Sequence, residues 1–237
     1  MRTGKVSIRV IFIEVRSLYN SRGDSAAVAA HDNDNKWGRF QLAGLLRWGH
    51  RPLKRIFLAL TVVSTVLLVA ALVLGFEIGD PRSVAPATRK LLSYHVLISM
   101  AALIFAALVH AVHLIYFMGT SRWMEEARQA YKFDSRWSEE NRRLKYRTIP
   151  VMAICTLLLI LNVPLGALSV DRADWTVPGV GAVSPSRVHL LFAIFTIGVN
   201  LAVNAVEYRA ISRNSQLITE VVGEVRRIRE ARGLPVS

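Results

Sequence analysis

Four long stretches of the chain contain no Lys, Arg, Asp or Glu: residues 56–76, 91–118, 150–170 and 188–206. A transmembrane helix needs about 20 consecutive, mostly apolar residues, and a charged side chain at the centre of a bilayer costs ~2.5–3.5 kcal/mol. Because all four stretches meet this requirement, the sequence predicts an all-α, polytopic membrane protein with four transmembrane helices. The segments that remain are too short for a typical soluble domain of ~100–150 residues.

The distribution of positive charge predicts the topology. The chain has 30 Lys and Arg residues against 17 Asp and Glu, a net charge of +13. If the four spans alternate in direction, 25 of the Lys and Arg residues lie on the side of both termini and the middle loop, and 5 lie on the other side. This positive-inside pattern predicts a multi-pass protein of the cell (inner) membrane with both termini cytoplasmic. Contact with anionic lipid headgroups then accounts for the charge, and nucleic acid is not expected as a partner.

The N-terminal segment lacks a membrane-spanning pattern. Residues 17–37 are polar and rich in small side chains, and residues 1–37 as a whole are expected to be disordered. Residues 1–35 are a candidate for sequence that precedes the true translation start. Residues 38–55 mix Phe, Leu and Trp with Arg and Lys, which favours an interfacial amphipathic helix.

The four-helix transmembrane bundle is expected at 56–210, with a cytoplasmic helical loop at 119–149. Two seven-residue segments of this loop resemble each other, and each begins with a capping residue, Thr120 or Asp134. They predict amphipathic helices at about 121–131 and 135–147. Residues 211–237 are expected to continue span four as a cytoplasmic amphipathic helix. Its apolar seam either packs on the loop helices, which is the favoured interpretation, or pairs with another copy of the chain.

Spans two and four run in the same direction, and each has one face of small and polar residues. Such faces turn toward other helices because polar groups are costly against lipid. His95 and His113 are 18 residues apart, which is five helical turns and ~27 Å. His189 and Glu207 have the same separation. We therefore expect His95 to meet His189 near the outer surface and His113 to meet Glu207 near the inner surface. The polar intramembrane seam between them comprises Ser99, His113, Thr196, Asn200, Asn204 and Glu207.

Two facing histidines indicate one specific chemistry, axial ligation of haem b by His95 and His189. Ser99 and Ala193, one turn further in, are small and would leave room for the porphyrin. Candidate partners for the haem propionates are Arg89, Lys90 and Arg187. In its general plan the arrangement resembles the membrane-anchor cytochrome b subunits of respiratory enzymes, and the resemblance implies haem binding and electron transfer.

Two other interpretations of the same residues stay open. Histidine near an interface can bond to water or lipid phosphate, so His95 and His189 also fit ordinary structural roles. Asn200 and Asn204 lie one turn apart inside a span, which is compatible with a proton- or ion-conducting path in a small transporter or channel.

Enzyme signatures are missing from the sequence. HExxH, P-loop and Rossmann fingerprints are absent, and the single cysteine, Cys155, excludes an intrachain disulfide or thiolate cluster. No catalytic residue or metal site is predicted. The sequence therefore favours an integral membrane structural or accessory subunit without autonomous catalytic activity, with a membrane-protein partner or self-association. The haem b electron-transfer subunit is the first alternative.

Overall fold

The computed structural model describes residues 50–170, 175–177 and 181–235. These residues form four long helices, with two short antiparallel β-strands between the third and the fourth. The elements are α1 (His50–Glu77), α2 (Pro86–Tyr131), α3 (Arg136–Leu168), β1 (Trp175–Val177), β2 (Gly181–Val183) and α4 (Pro185–Ala231). The predictions for residues 1–37 and for most of 38–55 lie outside the described residues.

The prediction of four transmembrane helices is confirmed. Each of the four charge-free stretches lies within one helix, apart from residues 169–170, which form the turn after α3. All four helices are long and apolar enough to cross a membrane. Large apolar side chains on their outer faces are exposed, such as Val66, Leu97 and Leu191. A soluble protein would bury such side chains, whereas lipid solvates them. The chain is therefore a multi-pass helical membrane protein.

The helices extend well beyond the charge-free stretches. α2 has 46 residues and α4 has 47, so each is ~70 Å long against a hydrocarbon core of ~30 Å. Residues 121–131 and 136–147 are helical, as predicted, but they are parts of α2 and α3 and do not form helices of their own. Thr120 does not cap a new helix; its hydroxyl donates to the Tyr116 carbonyl 2.9 Å away, within α2.

The chain reverses direction between α2 and α3. Lys132 ends α2 in the left-handed conformation (φ 57°), with its amide bonded to the Arg128 carbonyl. Asp134 then accepts the amide of Arg136 at 2.8 Å, while Ser135, the residue directly before α3, makes no side-chain cap bond. We call the end of the bundle with residues 132–135 the hairpin end. The opposite end, with residues 78–85 and the β-strands, is the loop end.

α3 differs from the sequence expectation at its start. The charge-free stretch of span three begins at Pro150, but Pro150 lies inside α3, as does Pro164. The helix begins at Arg136 because the polar residues before Pro150 continue the inward-facing pattern; Trp137 and Asn141 are both buried.

Beyond the charge-free stretches, α2, α3 and α4 pack together into an extension at the hairpin end. Buried apolar side chains fill it: Met124, Phe133, Trp137, Leu217, Ile218, Val221 and Val225. The seam of α4 thus packs against α2 and α3 of the same chain, as the favoured interpretation expected.

Candidate functional site

His95 of α2 and His189 of α4 lie side by side near the loop end, as the sequence spacing predicted. Their ring centroids are 6.3 Å apart, and the ring planes are nearly perpendicular, at 89°. His95 Nδ1 lies 2.9 Å from the Ala71 carbonyl of α1. A carbonyl can only accept, so Nδ1 carries the proton and Nε2 keeps its lone pair in the neutral ring. We call His95 and His189 the loop-end histidine pair.

Glycines from the other two helices face this pair. A Cβ atom at Gly75 of α1 would lie 3.3 Å from His95 Cε1. A Cβ atom at Gly166 of α3 would lie 3.3 Å from His189 Cε1 and 3.5 Å from its Nε2. A larger side chain at either glycine would therefore collide with an imidazole. The sequence analysis did not identify Gly166, and no local pattern marks it, because its role depends on how α3 packs against α4.

The other residues predicted to serve a haem lie nearby along the same helices. Ser99 and Ala193 are half-buried one turn inward from the pair. The side chains of Arg89, Lys90 and Arg187 are exposed on the first turns of α2 and α4. Lys90 Nζ lies 5.9 Å from the centre of the Tyr94 ring. The cationic side chains thus occur at the loop end, on the same two helices as the histidines.

A second polar group lies toward the hairpin end, about four turns along α2. The prediction that Glu207 meets His113 is wrong, because the histidine that Glu207 contacts is His110. Glu207 Oε1 lies 2.8 Å from His110 Nδ1, and both side chains are buried. His113 Nε2 instead lies 2.9 Å from the Thr148 hydroxyl of α3. We call His110, His113, Thr148 and Glu207 the inner polar cluster.

The polar face of α4 does point into the bundle, as predicted. Thr196, Asn200, Asn204 and Glu207 are all at most 3% exposed. α3 supplies partners that the sequence analysis did not assign. Asn162 Nδ2 donates to Thr196 at 3.0 Å, and Cys155 Sγ lies 3.5 Å from Asn200 Oδ1.

Several buried polar atoms around this face have no hydrogen-bond partner among the described residues. They are His110 Nε2, His113 Nδ1, Glu207 Oε2, both polar side-chain atoms of Asn204, Asn200 Nδ2, Asn162 Oδ1 and His189 Nδ1. Leaving a buried polar atom unpaired costs ~1–3 kcal/mol. In proteins such groups are usually satisfied by internal water or mark a functional site.

A third polar group, in the extension, is fully paired between helices. Asn141 of α3 donates to Asn214 of α4 at 2.6 Å, and Asn214 donates to Thr120 of α2 at 2.9 Å. The Ser121 hydroxyl also donates to Asn141. These bonds connect α2, α3 and α4. Because no buried side-chain polar atom of this group is left without a hydrogen-bond partner, the group has a structural role.

No family model, curated protein or solved structure matches this chain. The described residues with chemistry relevant to a function are the half-buried loop-end histidine pair and the buried inner polar cluster. Within the described residues, no group of three or more His, Cys, Asp and Glu side chains is arranged to hold a metal ion. The loop-end histidine pair offers two imidazoles, which is the number that haem iron takes from a protein in bis-histidine sites, since the porphyrin supplies the other four ligands.

Proposed function

We propose that the protein is a membrane electron-transfer subunit that binds one haem b between α2 and α4. The observation that supports this proposal is the geometry of the loop-end histidine pair. A metal–imidazole bond of ~2.0–2.1 Å, with the ring centre ~1.1 Å behind its nitrogen, places two rings on opposite sides of one metal ~6.3 Å apart. The two ring centroids lie 6.3 Å apart in the structure.

The surroundings of the two imidazoles also fit this role. His95 donates its Nδ1 proton to the Ala71 carbonyl, and metal-ligating histidines usually have such a second partner, which fixes the tautomer and the ring orientation. His189 Nδ1 is buried without a partner among the described residues. Gly75 and Gly166 lie so close to the two imidazoles that a side chain at either position would crowd the rings. The chain's own residues would thus hold and orient the ligands and keep the site apolar.

Bound haem b would supply one-electron redox chemistry. His95 and His189 would hold it among the four apolar helices near the loop end. Burial in a low-dielectric environment and the identity of the axial ligands are the features by which a protein sets a haem potential. Arg89, Lys90 and Arg187 are our candidates for partners of the propionates, because a pair of carboxylates at this depth needs cationic side chains.

The absorption spectrum tests the proposal. An edge-to-face contact between two aromatic rings spans the same range of distances, so the spectrum decides between a ligand pair and a packing contact. The full chain, expressed with ample haem and purified in detergent, should show a Soret band that shifts on dithionite reduction and one haem per chain by pyridine haemochrome assay. Colourless protein under these conditions would refute the proposal.

We also propose that the extension at the hairpin end is a docking surface for a membrane-protein partner or for a second copy. Its outer surface carries ion pairs, such as Arg213 with Glu140 at 2.7 Å. The same role would serve an accessory subunit without haem. Blue-native electrophoresis of native membranes tests it, and migration only as a free monomer would contradict it.

We further propose that the hairpin end and both termini face the cytoplasm of the cell (inner) membrane. The excess of Lys and Arg in the corresponding segments supports this orientation. Single cysteines introduced into a Cys155→Ala background, one in residues 132–135 and one in residues 78–85, can be labelled in intact cells with a membrane-impermeant maleimide. Labelling is expected only at residues 78–85, and the reverse pattern would overturn the orientation.

A further inference from the structure

We propose that Glu207, His110 and His113 form an internal proton-binding site that is reached from the loop end along the polar face of α4. The proposal does not depend on haem, because none of these residues belongs to the loop-end histidine pair. It assigns a role to the buried polar atoms that haem binding leaves unused.

Charge balance inside the bundle is the first argument. Glu207 is fully buried, and its carboxylate contacts His110 at 2.8 Å. No Lys or Arg lies in the charge-free stretches around it. A buried unpaired charge is very costly, so the group is stable only when its net charge is near zero. An ionised carboxylate and two neutral imidazoles together have a charge of −1. The group therefore reaches zero charge when it binds one further proton, which lies either on Glu207 or on a histidine.

The unpaired atoms are the second argument. Thr148 donates its hydroxyl proton to a backbone carbonyl of its own helix, so it accepts from His113 Nε2, and His113 Nδ1 is left as a bare acceptor. His110 Nε2 and Glu207 Oε2 also lack partners among the described residues. The cluster therefore has open positions at three atoms for water or for a second proton.

The route to the site follows from what lies on either side of it. Toward the loop end, Asn204 and Asn200 lie one and two turns from Glu207. Each has at least one buried side-chain amide atom without a hydrogen-bond partner among the described residues. Toward the hairpin end, Phe117, Ala210 and Ile211 form a buried apolar layer with Phe57. Water bridges between polar groups but does not bridge an apolar layer of this kind. The site should therefore exchange protons with one end only.

The other titratable groups that face the cluster are few. α1 contributes none within residues 56–76. α3 contributes the Cys155 thiol, which contacts Asn200. α2 contributes Tyr116, beyond the apolar layer on the side of Asn214. A proton that the cluster takes up must therefore be held by Glu207, His110 or His113.

NMR of the full-length protein, labelled with ¹⁵N in its histidine rings, tests the shared proton. The ring ¹⁵N resonances of His110 and His113 should change together with pH, and Glu207→Gln should shift the midpoint of that change, since it removes the carboxylate that lies 2.8 Å from His110. Glu230→Gln, an exposed glutamate of α4, is the control and should leave the midpoint unchanged. Rings of His110 and His113 that titrate independently, or that ignore Glu207→Gln, would overturn the proposal.

Proton exchange after a pH jump tests the route. Asn204→Leu should slow protonation of the cluster about tenfold or more because it blocks the polar face. Ala202→Leu, which adds the same side chain at an exposed position of α4, should leave the rate unchanged. In proteoliposomes the wild-type protein should show no sustained proton flux, whereas Ile211→Ser should open the hairpin side. Sustained flux in the wild-type protein would indicate a channel and overturn the one-sided site.

Discussion

The loop-end histidine pair and the inner polar cluster are built on the same two helices, yet their surroundings differ. Around His95 and His189 the other helices present glycine and a backbone carbonyl. Around His110 and His113, by contrast, polar side chains bond to the rings. One is a carboxylate from α4 and the other is a hydroxyl from α3. The first group therefore suits the proposed ligand binding and the second the proposed proton binding. In these two proposals the same residue type serves two different chemistries in one bundle.

The largest expected effect separates the two groups by their ligand. His95→Ala or His189→Ala should each shift the Soret band and lower the haem content, because the chain would lose one of the two imidazoles proposed to hold the haem. His113→Ala should retain a wild-type spectrum and haem content. The measurement is haem per chain after purification in the same detergent. Loss of haem in His113→Ala together with full haem in His95→Ala would reverse the assignment of the two groups.

The next effect tests the glycines that distinguish the loop-end histidine pair. Gly166→Leu should lower haem content about tenfold, since even a Cβ atom there lies 3.3 Å from His189, and overpacking a close contact costs ~1–3 kcal/mol or more. Gly198→Leu on α4 is the control, because a Cβ atom there meets no other described atom within 4 Å. Equal haem content in the two variants would mean that the space beside His189 is not needed.

A smaller effect is expected on the side of the inner polar cluster. Thr148→Val removes the partner of His113 Nε2 and should lower the free energy of unfolding by ~1–2 kcal/mol without altering haem content. Thr156→Val is matched to it, since the Thr156 hydroxyl bonds only to the Met152 carbonyl of its own helix in the described structure. Unfolding in mixed detergent micelles with SDS gives both values. An equal loss in the two variants would show that the contact between Thr148 and His113 adds no stability.

The smallest effect concerns the outer surface of the extension. Arg213 bonds to both oxygens of Glu140 on the neighbouring helix, but the two side chains are each 40% exposed. Arg213→Ala should therefore cost ~0–1 kcal/mol. Arg227→Ala breaks an ion pair within α4 alone and should cost less. A loss from Arg213→Ala as large as that from Thr148→Val would mean that the ion pair is much less solvated than its exposure suggests.

The sequence was sufficient for the membrane spans because charge is excluded from lipid at a cost that no local propensity offsets. It was insufficient for the helix ends. Thr120 has the identity of a cap, but its hydroxyl bonds within α2, and packing of Met124 into the extension keeps the helix intact. α2 ends instead at Lys132, a residue type that rarely takes a left-handed conformation.

The site was predictable to the extent that it depends on spacing along a helix. His95 and His189 share a depth and a face, and the structure brings them together. At the other end, His110 rather than His113 meets Glu207, although His110 lies ~60° from the predicted seam. Helix tilt and crossing decide between residues three positions apart, and these depend on the whole bundle. The partners Thr148 and Gly166 come from a third helix, which pairwise seam matching does not consider.

α2 and α4 pass from the apolar part of the bundle into the extension without a break. Such continuous rods act as levers. Rotating α2 by ~5° about its midpoint would carry the turn at residues 132–135 sideways by ~3 Å, given a rise of 1.5 Å per residue. A rearrangement of the spans would therefore displace a partner bound at this turn. Conversely, a force that the partner exerts on the turn would rotate the part of α2 that carries the buried imidazoles.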